Sequence, residues 1–477
     1  MKKEERHCII FSRWRRNTKC RRSLLAITLP QSVEELKSSL QCLDSTLRKM
    51  LLEWARQCYQ SALEWVDDVL AEHRAPSLGI EHRRAVWYQT CLGSVSVKRR
   101  VYRGAEGRRR CLLDELMGTS KRDHFTPTVK KLTLEVAASM PYRRAADILR
   151  KLSAIDLPHQ TIWRRVARAA DPYLKKMEQE LKWFTDTGEI PDGEGRQVAR
   201  LMVEADGVMV SLQREKEKRA EVKLGIAYEG WEEVSRNRYR TVNKTAFASM
   251  GGADDFWAGM TLKLQGRYDW SALKDTIVGG DGACWVRDGA DYLNGSFQLD
   301  RYHLNRELTT ALGKDKETKG KVWQAIERGD VPAALQILAG AMKQARGEQA
   351  ERLRHAWGYL QANLSGLKDY RLGLGKEGAM LRRTGAIEGN VDKLVARRMK
   401  NQGMSRSLEG IRRLLCVRFL VLEDKLGDWL RQASPPQTGT KVPLKKVRRI
   451  VNRVLAEDPT AWLQARLPAL HGTHASR

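Results

Sequence analysis

The chain has 477 residues, with 86 Lys and Arg against 58 Asp and Glu, a formal charge of +28. That length suits more than one domain, and so large a cationic excess points to a polyanionic partner, above all nucleic acid. No apolar run approaches the roughly 18 residues that a spanning helix needs, the eight cysteines scatter from Cys8 to Cys416 without metal-ligand or disulfide spacing, and no signal-peptide core follows the basic start. These features predict a reducing, cytoplasmic setting in association with the nucleoid, with no membrane partner.

In chain order, residues 1–30 form a basic arm without a clear period. Residues 31–195 are expected to form a mainly helical DNA-binding region. Leu36, Leu40, Leu43, Leu47, Leu51, Tyr59, Leu63 and Val66 recur at spacings of three and four and predict one long helix over 31–74. Two strands follow, 85–91 and 94–102, about a Leu92-Gly93 turn. Lys98, Arg99 and Arg100 on the second strand could track a phosphate backbone; equally, they could be charges that protect an edge strand. Residues 142–152 and a helix opening near Gln160, with a break between them, fit a helix-turn-helix. Its second helix would offer Thr161, Arg164, Arg165 and Arg168 to a groove, whereas Trp163 and His159 are expected to pack; Pro172 closes the segment. The alternative is a helical hairpin with a solvated face. Residues 185–193 read as a linker.

Residues 196–302 change character. Leu201–Asp206 and Thr276–Asp281 are apolar runs that each end in Asp followed by Gly. Buried charge is costly unless paired or metal-bound, so the two aspartates either share a cation site or each open a turn. Around them lie strands at 208–212, 221–228, 245–249 and 297–300 and helices at 253–264 and 285–292. Three antiparallel strands followed by helix–strand alternation is the order of a ribonuclease-H-like mixed sheet, with the first aspartate on the first strand and the second near the end of the fourth. Residues 303–380 are helical in pattern throughout, 381–432 contain Glu388 in the first turn of a basic helix, and 433–477 form a basic tail. The fold class is therefore α/β: a ribonuclease-H-like mixed sheet interrupted by an all-helical block and preceded by the hairpin and helix-turn-helix region. The stretch Gly373-Leu374-Gly375-Lys376-Glu377 lacks the hydroxyl residue and spacing of a phosphate loop, so no nucleoside triphosphate is expected.

Val203-Glu204-Ala205-Asp206, Glu221-Val222-Lys223-Leu224-Gly225, Tyr228-Glu229-Gly230, Gly280-Asp281-Gly282-Ala283-Cys284-Trp285, Leu299-Asp300-Arg301-Tyr302-His303-Leu304 and Glu388-Gly389-Asn390-Val391 together resemble bacterial insertion-sequence transposases of the ISLre type, in the Mutator-like group. Lys98–Tyr102 and Leu112–Leu116 belong to the same likeness, which covers about 83–420. The resemblance implies a ribonuclease-H-like catalytic domain with an all-helical insertion, and Asp206, Asp281 and Glu388 as its catalytic, metal-holding triad. Asp300 and His303 match the Asp-x-x-His signature of the group and are assigned a supporting role. Ile387 stands where family members often have a small residue. Two Mg²⁺ or Mn²⁺ ions would serve such a site. Partners would be double-stranded DNA, as terminal inverted repeats and as target, and further copies of the chain. Glu307 and Glu377 are the rival third carboxylates. A structure-selective nuclease without strand transfer and an inactive DNA-binding repressor derived from a transposase are the alternative functions.

Overall fold

A computed structural model describes residues 7–10, 25–28, 33–104, 107–119, 123–189, 194–401 and 404–432. The basic tail at 433–477 lies outside the described residues, as does most of the basic arm, of which 7–10 and 25–28 pair as two antiparallel strands. The described chain divides into two compact units.

The smaller unit holds the residues up to Val129 together with Ser153–Ile155. It begins with one helix, Val33–Glu72, close to the span its apolar spacing predicts. The hairpin is longer than expected, Gly79–Thr90 against Gly93–Arg103, and its loop is Cys91-Leu92, because Thr90 pairs with Gly93. Thr90 Oγ1 accepts the Leu92 N–H at 3.0 Å and donates to Gly93 O, while Gly93 takes φ +105°, where glycine is unstrained. Strand alternation turns Val95, Val97, Arg99 and Val101 to the inside, against Leu70, Tyr88, Leu112 and Leu113.

The larger unit, comprising Lys130–Leu152 and Asp156–Ala433, is built on a five-stranded mixed sheet. Its order in space is Thr245–Ser249, Arg219–Tyr228, Arg200–Ser211, Asp275–Gly280, Ser296–Leu299. The first three strands are antiparallel, and the last two run parallel to the central one. The central strand does not break after Asp206, where separate strands were expected. Gly207 stays in the ladder opposite Lys223, and its missing side chain leaves space for the Glu221 carboxylate. A hairpin at Trp231–Ser235 and Arg238–Thr241, absent from the sequence reading, lies between the second and third strands in the chain.

Alternation along the central strand divides the core. Leu201, Val203 and Ala205 pack with Phe256, Trp257 and Met260 of helix Ala253–Gln265 and with Leu304, Leu308, Val322, Leu338, Leu353 and Leu360 of four successive helices, Arg301–Leu312 to Gly347–Ala362. Asp300, Asp315 and Asp330 each cap one of these helices by accepting a backbone N–H. Met202, Val208 and Val210 face the opposite way, towards Ile387, Leu394, Val395, Leu414 and Phe419. The protein is thus a mixed α/β structure with a mixed sheet and many helices. No described helix is long and apolar enough to cross a membrane.

Two helices, Tyr142–Ser153 and His159–Thr187, flank the expected break. The second continues through Pro172, which was expected to end it. Proline removes one helical hydrogen bond, but tertiary contacts hold this turn. Trp429 Nε1 donates to Ala169 O at 2.8 Å, and the Tyr173 and Trp429 rings meet edge to face.

Candidate metal centre

The even-numbered residues of the central strand point to the Ile387 side, and two of them are acids, Glu204 and Asp206. Asp206 is half-buried and accepts the Gly207 N–H at 2.7 Å. Asp281 follows the neighbouring parallel strand, whose last residue, Gly280, pairs with Ala205. Its carboxylate accepts the Ala283 N–H at 2.9 Å and its carbonyl accepts the Tyr359 hydroxyl at 2.6 Å. Glu388 lies in the short helix Ile387–Asn390, which leads into a wider π-helical turn at Val391–Ala396 rather than the single helix expected. Burial, together with the charges of Asp281 and Glu388, pushes the Asp206 carboxyl up to about 6.

His303 enters the same group. Its Nδ1 lies 2.9 Å from Asp300 Oδ2 and its Nε2 3.0 Å from Glu388 Oε1. Burial opposes a charge on this ring, but the Asp300 hydrogen bond and the charges of Asp300, Glu388 and Asp206 outweigh it and raise the imidazole pKa. Asp206, His303 and Glu388 each offer a ligand atom within 4.8 Å of the others. Carboxylate oxygens suit a hard divalent cation such as Mg²⁺ or Mn²⁺, with the Asp300-bound imidazole beside them. These residues fit one, because a cation would remove the repulsion that raises Asp206.

Glu204 has no role in the sequence reading. It is 1 % exposed, yet it is hydrogen-bonded throughout. Its Oε2 accepts the Gly385 and Ile387 N–H groups, each at 3.0 Å, and its other oxygen accepts the Tyr228 hydroxyl. Gly385 has φ +132°, so this turn requires a glycine. Gly279 leaves room for the Glu204 side chain, since a Cβ there would lie 3.1 Å from Glu204 Cγ. Glu204 thereby holds the turn that delivers Glu388. The sequence signal was available: a second acid two residues before Asp206 in an apolar strand shares its face.

The rival carboxylates pair with other residues and do not join the Asp206 group. Glu377 pairs with Arg200 at 2.8 Å. Arg200 is six residues before Asp206 on the strand, about 20 Å away. Glu307 faces His355 at 3.3 Å.

The residues expected at DNA are divided. Arg164 and Arg168 are exposed and Thr161 is half-buried. Arg165, by contrast, is 7 % exposed, because at helical spacing it shares the inward face of Ile162, Val166 and Ala169. Trp163, expected to pack, is 46 % exposed. Of the hairpin trio only Lys98 faces outward. Arg99 is buried against Asp114 at 2.7 Å, and Arg100 pairs with Asp67 and Asp68, each at 2.7 Å.

Fold and site together define a mixed α/β protein in which Asp206 of the central strand meets Glu388 and His303. Residues 35–432 match the family described as Uncharacterised protein family (UPF0236), and the chain belongs to that family. Similar proteins include a UPF0236 protein of Caldanaerobacter subterraneus subsp. tengcongensis, 24% identical over 419 residues, covering 86% of this chain and 85% of the relative. Another from that organism, 24% identical over the same length and 84% covered, carries a name that strings together eleven gene loci. A third, from Streptococcus gallolyticus, is 26% identical over 353 residues, covering 71% of this chain and 74% of the relative, and is named for the vanSb 3′ region.

Proposed function

We infer that the chain is a DNA transposase of the DDE type, with a ribonuclease-H-like catalytic fold. The observation that carries this reading is the meeting of Asp206, within the central strand, and Glu388, beyond the helical block, in one group with His303, while Asp281, after the parallel neighbour, lies near enough for its charge to raise the Asp206 carboxyl. Strand order supports it, as three antiparallel strands are followed by two parallel ones. The +28 charge suits a DNA partner. A relative named for eleven loci of one genome is what a self-copying element would leave.

Asp206, Asp281 and Glu388 would hold Mg²⁺ or Mn²⁺, two ions in the full site, with His303 beside them. Such ions supply charge stabilisation at the scissile phosphate and lower the pKa of the attacking group. The chain's own residues do the positioning. Glu204 fixes the Glu388 turn through two backbone N–H groups. His303, held by Asp300, orients the Glu388 carboxylate and is poised to carry a proton at Nε2. Arg164 and Lys98 are exposed and could meet phosphates.

The test is incubation of the full chain with Mg²⁺ or Mn²⁺ and DNA carrying the ends that flank its gene. Cleavage at those ends and their joining to a second DNA are expected. Cleavage without joining would make the protein a nuclease, and binding that persists without any cleavage would make it a repressor.

A further inference from the structure

Three helices begin around one cavity in the larger unit. Tyr142 and Arg143 open one helix, His159 and Gln160 open the next, and Ser407 caps Leu408–Leu422 by accepting the Gly410 N–H at 3.1 Å. Gln213 and Arg214, just past the end of the Asp206 strand, form another wall. Arg406 is tied to it, its N–H donating to Ser211 O at 3.3 Å and its carbonyl accepting the Gln213 N–H at 3.0 Å. The cavity has a volume of about 450 Å³. Three helix N-termini bring the positive ends of three dipoles to it.

Its side chains add to that sign. Arg143, Arg214 and Arg406 line the cavity, and no carboxylate does. Two acids lie at the start of the third helix and partly counter its dipole: Glu215 accepts the Leu408 N–H at 3.1 Å, and Glu409, in the first turn, pairs with Arg413 at 3.3 Å. Behind the lining, Arg398 is 2 % exposed and shares the Tyr142 ring with Arg406, each guanidinium 5.3 Å from its centroid. The Nε atoms of both arginines are buried without a hydrogen-bond partner. Burial and then the Arg406 charge push the Arg398 pKa down to about 9. Crowded positive charge without a counter-charge is costly, and an anion seated here would offset it. A phosphate alone would not fill this space. The remaining wall is Trp163, whose exposed ring offers a face on which a nucleobase can stack.

We propose that this cavity seats one nucleotide of a nucleic-acid strand, its phosphate held by Arg143, Arg214 and Arg406 and its base stacked on Trp163. The proposal rests on the reading of the chain as a DNA-processing protein but is independent of the carboxylate centre.

The experiment measures anisotropy of a short fluorescein-labelled single-stranded oligonucleotide with the full chain in EDTA, so that cleavage plays no part. Arg143, Arg214 and Trp163 are exposed, so Arg143→Ala/Arg214→Ala and Trp163→Ala should fold as the parent does, which circular dichroism checks. The double variant is expected to bind about tenfold more weakly, with its log K against log salt slope shallower by roughly 0.7 for the phosphate lost. Trp163→Ala is expected to lose about tenfold on the normal strand and nothing on an abasic one. Unchanged affinity in both variants overturns the seat. Deoxynucleoside monophosphate binding as tightly as the oligonucleotide overturns the strand assignment and makes the cavity one for free nucleotides. Failure here leaves the cleavage reading standing, and failure to cleave leaves the seat standing.

Discussion

Two groups of buried or half-buried acids in this protein are built in opposite ways. In the smaller unit, Asp114 accepts the Tyr88 hydroxyl and pairs with Arg99, whose Nε in turn donates to Tyr88 at 3.1 Å. Every charge there has a partner within the protein. In the larger unit, Asp206 faces Asp281 and Glu388, and these three acids have one imidazole among them. A closed network of this first kind holds a fold together. An open one costs stability unless something from outside completes it, and the raised Asp206 pKa is its mark here. The contrast teaches that a buried acid is informative through what surrounds it, not through its burial.

Breaking the open network should cost chemistry, and breaking the closed one should cost stability. The largest effect is expected from Glu388→Gln, which should abolish metal-dependent cleavage of terminal DNA while end binding and thermal stability persist. Glu377→Gln and Glu307→Gln should leave substantial cleavage. A normal cleavage gel from Glu388→Gln would sink the site as drawn.

Asp114→Asn strands the buried Arg99 charge and should cost about 3–5 kcal/mol, read as a lower urea midpoint. Cleavage by the protein that remains folded should be normal. If unfolding is unmoved, the Arg99–Asp114 pair is not a stabilising contact.

Glu204→Gln tests a residue that belongs to both kinds, since it is fully hydrogen-bonded yet adjoins the open site. An amide keeps one oxygen for the two backbone N–H groups but loses the charge that strengthens those bonds, so about 1.5–3 kcal/mol should be lost, and cleavage should fall as the Glu388 turn loosens. Stability loss with undiminished cleavage would remove its positioning role.

His303→Ala should slow cleavage about 10–100-fold and spare Mn²⁺ binding, measured by calorimetry. Complete loss of binding would make the imidazole a ligand.

The smallest effect concerns another closed network. Burial disfavours the Asp369 charge, but hydrogen bonds to Arg371 and the charges of Arg371 and Arg301 bring its pKa to about 2, below the ordinary 3.8. A carboxyl depressed by folding contributes stability above its unfolded pKa and loses it as pH falls through its folded one. Wild-type unfolding free energy should therefore decline between pH 4 and 2 more steeply than that of Asp369→Asn. Parallel curves would mean the network contributes nothing.

Much of the framework was legible without coordinates. Leu36 to Val66 at spacings of three and four spelled out the long helix, and alternating residues from Val95 to Val101 spelled out a strand. These patterns are local, and backbone geometry repeats them with fixed periods. Errors arose where a local rule met a tertiary contact. Asp206-Gly207 reads as a turn, but Lys223 and Glu221 on the neighbouring strand keep Gly207 in the ladder. Asp281-Gly282 reads the same way and does turn, with Gly282 at φ +89°. Pro172 reads as a stop, but contacts from Trp429 hold the helix through it.

By itself, then, the sequence determined most of the helices and strands, the cationic excess and the short list of acids able to meet. Only tertiary structure decided which charges are spent inside the protein. Arg99, Arg100 and Arg165 look like phosphate-binding residues in a linear reading, and each is turned inward by a strand or helix period whose inward side depends on what packs against it. Sequence favoured Glu388 over Glu307 and Glu377 as the third acid, but only tertiary structure brings it beside Asp206 and pairs the other two with His355 and Arg200. Their positions depend on how the helices after Asp300 return the chain to the sheet, and on Glu204 receiving the Gly385 and Ile387 N–H groups there. Contacts between residues this far apart in sequence are set by packing the whole core, which no short window of sequence contains.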